Sequence, residues 1–77
     1  MPHVIVKMLA GRTDEQKKKL ADEITKVVMD ITGNEESAVP VSIEDVAQSD
    51  WTEKVYKPDI AAQWDKLYKK PGYDPLH

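Results

Sequence analysis

MPHVIVKMLAGRTDEQ, residues 1–16, is the stretch on which the fold turns. Residues 3–9, HVIVKML, form a β-branched apolar run of strand length, and AGR breaks it. TDEQ then reads as a capping box, with Thr13 accepting the Gln16 N–H and Gln16 reaching back to Thr13. Asp14 and Glu15 put negative charge in the first turn, where the helix dipole favours it. Working outward, Leu20, Ala21, Ile24, Val27, Val28 and Ile31 recur at helical spacing, and Lys17, Lys18, Asp22, Glu23 and Lys26 take the opposite face. Thr32-Gly33-Asn34 supplies the stop. Val39, Val41 and Ile43 alternate with Pro40, Ser42 and Glu44 and predict a second strand. Pro40 lacks a ladder donor, so that strand is expected to be an edge or to bulge there. Strand, helix and strand make a βαβ unit with parallel strands.

Pro2 raises a separate question. Proline adds no N–H to a ladder, so it is a poor start for an interior strand. Position 2 gives it another use. Removal of Met1 leaves a free secondary amine, a base and nucleophile built into the main chain. An α-amino group titrates at about 7.7–8.0 and a proline amine is more basic. Partial burial beside Val4 and Ile5, or a nearby cation such as Arg12, lowers that value towards neutrality.

Composition bounds what surrounds this unit. A chain of 77 residues is one domain, and a lone domain of that size buries only about 60% of its unfolded surface. There are no cysteines, and His3 and His77 lie at opposite ends. Disulfide and metal staples are therefore not expected, which leaves self-association. The net charge is −3, without a basic stripe, so nucleic acid is not an expected partner. No apolar run nears the roughly 20 residues that span a bilayer, and the start lacks signal-peptide character. A soluble, cytoplasmic protein is expected. Beyond residue 46 the chain reads as a tail. AQSDWTEKVYKPD reads as loop with room for helical turns after Ser49, and a second helix is predicted from Pro58, with Ile60, Trp64, Leu67 and Tyr68 on one stripe, and Pro71-Gly72 as its stop.

Pro2 with its strand, GRTDEQK opening a long helix, and VPVSIEDV as the second strand resemble the 4-oxalocrotonate tautomerase family over roughly residues 1–51. The tail, WTEKVYKPDIAAQWDKLYKKPGY, is similar to that of the longer bacterial PptA-type tautomerases. The resemblance implies an α/β (α+β) fold: a single domain over 1–77, with a βαβ core at 1–46 and a helical tail at 47–77. It also implies a cofactor-independent isomerase that interconverts keto and enol forms of 2-keto acids such as phenylpyruvate or 2-hydroxydienoates. Pro2 matches the catalytic base. Arg12 matches an arginine that binds the substrate carboxylate, often from a neighbouring subunit, and Trp51 matches an aromatic residue lining the pocket. The family's second arginine aligns with Pro40, which favours substrates with one carboxylate.

Two other functions stand beside this one. A protonated Pro2 suits hydratase or dehalogenase-like chemistry, and a retained Met1 suits a non-catalytic oligomeric binding module. Alone, Arg12 reads as a solvated residue ahead of a helix and Trp51 as interface core. His3 lies on the strand face opposite Pro2. The expected assembly is a two-fold homodimer whose four-stranded sheet is completed across the subunits.

Overall fold

The first hydrogen bond between the strands explains how Pro2 is accommodated. In the computed structural model, which describes residues 1–77, β1 spans Val4–Leu9 and β2 spans Val41–Val46. The two lie side by side in a parallel two-stranded sheet. The Val4 N–H donates to the Pro40 carbonyl at 3.1 Å. Pro2 therefore precedes the ladder, where its missing donor costs nothing. In a two-stranded sheet β2 is an edge strand, as one of the two expectations for Pro40 had it, and the same bond shows why no bulge is needed. Pro40 lies one residue before β2 and contributes only its carbonyl, so it neither bulges nor breaks that strand.

The crossover is α1, Asp14–Thr32. Its start is fixed reciprocally: the Gln16 N–H donates to Thr13 Oγ1 at 3.1 Å, and the Thr13 N–H donates to Gln16 Oε1 at 2.9 Å. Its end is fixed by Gly33 at φ 75°, whose N–H donates to the Met29 carbonyl at 2.9 Å. That left-handed backbone is the reason for glycine there. Leu20, Ala21, Ile24 and Val28 are partly covered, yet no side chain of α1 is fully buried. Val27 and Ile31, on the same stripe, remain 55% and 80% exposed. In β1, Val4, Val6 and Met8 are half-buried, while Ile5 and Leu9 on the other face stay open.

The chain divides into two compact units, Met1–Asp45 and Val46–His77. In the first, Val39 is buried at the end of a short 3₁₀ turn, Glu36–Ala38. In the second, a turn at Gln48–Asp50 leads into a tail helix, Thr52–Ala61, whose Val55 and Tyr56 are buried together with Val46. This corrects the tail reading. The helix does not start at Pro58; it runs through it. An interior proline removes one backbone donor and crowds the preceding turn. The helix accommodates it by widening, with an i→i+5 bond from the Ala62 N–H to the Lys57 carbonyl at 3.0 Å. Lys54–Asp50 and Lys57–Glu53 pairs line its outside at i, i+4.

The expected stripe of Ile60, Trp64, Leu67 and Tyr68 does not form. Gln63 leaves helical geometry at φ −111°, ψ 21°, and a single 3₁₀ turn, Trp64–Lys66, follows before Leu67 becomes extended. Tyr68 is fully exposed and Trp64 is 40% exposed.

Candidate active site

Pro2 is half-buried at the mouth of β1, with Met1 projecting fully into solvent ahead of it. Arg12 sits at the other end of the strand. Gly11, at φ 129°, turns the chain between Leu9 and the Thr13 cap, in a region that L side chains rarely enter. The turn leaves Arg12 exposed directly before the α1 N-terminus, and its guanidinium makes no ion pair. A cation of fixed fork geometry suits a carboxylate.

Arg12 borders a recess of about 220 Å³ together with Met8, Gln16, Lys17 and Leu20. The floor is apolar and the rim is cationic. Lys17 is not a solvated residue of the outer face, as its place in the helical pattern suggested; its ammonium reaches across to Asp45. That pairing neutralises Lys17 and leaves Arg12 as the uncompensated charge of the recess. Gln16 has two duties, capping α1 and walling the recess. The clue to this in the sequence is spacing: Gln16 and Leu20 are four residues apart on α1 and line one ridge, with Arg12 just before the cap.

The structure does not bring Pro2 and Arg12 together. At about 3.3 Å per residue, β1 and its approach hold them roughly 20 Å or more apart. A small acid cannot touch both within one chain.

Trp51 lies in the second unit, between the Gln48–Asp50 turn and the tail helix, and is half-buried. Its indole Nε1–H donates to the Tyr73 hydroxyl at 3.0 Å. The Tyr73 ring packs on that of Tyr56, centroids 5.5 Å apart and tilted by 54°. Burial, and then the Asp74 carboxylate and Tyr73, push the Tyr56 hydroxyl above its ordinary value of 10.0, so it remains a donor at neutral pH. Neither tyrosine stood out in the sequence. No cluster of three or more histidine, aspartate or glutamate side chains is placed to share a metal ion, and no helix is long and apolar enough to cross a membrane.

Residues 2–54 match the family model Tautomerase, described as tautomerase enzyme. The chain is 46% identical over 76 residues to a probable tautomerase of Xylella fastidiosa (strain 9a5c), covering 99% of this chain and 93% of that protein. It is 39% identical over 75 residues to Tautomerase PptA of Cronobacter sakazakii, covering 96% and 99% of the two chains. Among solved structures it is similar to YwhB, a homologue of 4-oxalocrotonate tautomerase. The TM-score there is 0.59 at 47% identity, over 61% of this chain and 77% of that one.

Proposed function

The chain belongs to the tautomerase enzyme family, and from that premise we propose that it is a cofactor-independent keto–enol isomerase whose base is Pro2 after loss of Met1. The secondary amine accepts a proton from the enol hydroxyl of a 2-hydroxy-dienoate or arylpyruvate enol and returns it to carbon: the O–H electrons form the C=O π bond, and the electrons of the C=C π bond form the new C–H bond. Arg12 holds the substrate carboxylate, and Trp51 forms a wall of the pocket. A base tuned near working pH contributes about 10²- to 10⁴-fold to such a step. The whole chain, 1–77, acts as one tautomerase domain in the cytoplasm.

The observation that carries this reading is the placement of Pro2 and Arg12 at opposite ends of β1. It follows that Arg12 serves the Pro2 of a second copy. The exposed β1 face of Ile5 and Leu9, with Val27 and Ile31 of α1, provides apolar surface for that copy to cover. A two-fold homodimer with a four-stranded sheet is the smallest assembly that satisfies both. Only one free cation borders the recess, so a substrate with a single carboxylate fits better than a diacid.

Subunit mixing tests the reading. Pro2→Ala and Arg12→Ala should each lose most enol ketonisation, Arg12→Ala by about 10- to 100-fold in kcat/KM. After the two variants are unfolded and refolded together in equal amounts, one site in about four should carry both an intact proline and an intact arginine. Recovery of about a quarter of the wild-type rate is expected. No recovery, with both variants folded and associated, would refute a site shared between subunits. Full activity in protein shown by mass to retain Met1 would refute Pro2 as the base.

A further inference from the structure

We propose that Tyr73 is a positioning residue for the substrate pocket and that the segment after Pro71 is a strap that acts on the pocket through the indole of Trp51. The proposal rests on the reading of Trp51 as a pocket wall. It adds a residue and a segment that this reading does not contain.

The indole has one polar atom, and it is a donor only. Here that donor is already engaged, by the Tyr73 hydroxyl at 3.0 Å. A hydrogen bond at one edge of a flat ring restricts rotation about both side-chain torsions, and therefore sets the plane of the indole. It also leaves the ring to face a substrate as an apolar wall, with no N–H to offer.

Tyr73 must itself be held for this to work, and three contacts hold it. Its ring packs against Tyr56 in a tilted arrangement, with centroids at a separation favourable for two aromatics. Its carbonyl accepts the Tyr56 hydroxyl at 3.5 Å. Just beyond it, Asp74 Oδ1 accepts the Leu76 N–H at 2.9 Å, which closes a turn. Tyr56 is the most deeply buried residue of the chain, at 3% exposed, so the contacts run from a fixed ring to a half-exposed one and on to Trp51. Tyr73 is 49% exposed. A side chain kept only for packing would have little reason to leave half its surface in water while directing its hydroxyl at the indole.

Single-tryptophan spectroscopy with steady-state kinetics tests the proposal. Trp64→Phe removes the other indole, a surface ring under Lys70 that the site does not use. In that background Tyr73→Phe keeps the ring contact with Tyr56 and removes only the hydroxyl. A shift in Trp51 emission is expected, with KM raised about 2- to 10-fold, the range of one neutral hydrogen bond, and kcat unchanged. The same Tyr73→Phe change should have no effect on KM when made on Trp51→Phe, which has no N–H to hold. An equal rise in KM in that second background would overturn the proposal, since Tyr73 would not be acting through the indole. Trp51→Ala separates the two claims. If it raises KM while Tyr73→Phe changes neither KM nor emission, the strap is refuted and the pocket wall stands. If Trp51→Ala leaves KM unchanged, both fall.

Discussion

Pro40 shows how a single position bears on substrate choice. Its carbonyl anchors the first ladder bond, and its side chain is exposed. The place where the resemblance puts a second arginine thus carries no charge, and Lys17, the other cation of the recess beside Arg12, is tied to Asp45. A charged hydrogen bond is worth about 1.5–3 kcal/mol, or roughly 10- to 100-fold. Pro40→Arg leaves the carbonyl that Val4 needs and adds a guanidinium. It is expected to raise kcat/KM for a dicarboxylate enol relative to a monocarboxylate by about 10-fold or more. An unchanged ratio in a folded variant would place the carbonyl end of the substrate elsewhere. As candidates, Pro2 and Arg12 were legible in the sequence, because local motifs point to them. Tyr73 was not, since its link to Trp51 spans 22 residues of chain and no local pattern encodes such a contact.

Among the elements, α1 and the tail helix differ in how far local chemistry determines them. Every feature that bounds α1 lies within a few residues of its ends: the Thr13–Gln16 box, the acidic first turn and Gly33. Its limits could therefore be read directly. Thr13→Ala removes one half of the box and should lower stability by about 1 kcal/mol, measured as a fall in denaturation midpoint at unchanged slope. A cost indistinguishable from zero would mean that packing, and not the cap, sets this end. The tail helix follows a different logic. Apolar spacing alone pointed to a start at Pro58, whereas burial of Val55 and Tyr56, at about 1.5–3 kcal/mol per large side chain, holds the helix from Thr52 onward. That gain exceeds the loss at Pro58 once the helix widens to accommodate the ring. The apolar spacing of Ile60, Trp64, Leu67 and Tyr68 was real, but the chain leaves helical geometry at Gln63, so the four do not share one helix face.

Over the whole molecule, burial is sparse. Only Val39, Val46, Val55 and Tyr56 are less than a tenth exposed, and no side chain is completely enclosed. The βαβ order and its strand pairing were legible from periodicity, because period 2 and period 3.6 distinguish strand from helix within a few residues. What covers Ile5, Val27 and Ile31 was not, because the covering surface belongs to another copy in the proposed assembly. Light scattering is expected to give a dimer mass that holds on moderate dilution. A persistent monomer would remove the shared site, and a hexamer would show that the tail permits further stacking. Folding coupled to association has an apparent stability that falls by about 1.4 kcal/mol for each tenfold dilution, so the melting temperature should drop as the protein is diluted. The thin interior then has a consequence for gene dosage. If the proposed dimer holds, a newly made chain at low expression would find no companion, stay unfolded and be open to proteolysis. In that range, metabolic flux should climb with nearly the square of the number of chains synthesised, and become linear only above the abundance at which pairing is complete.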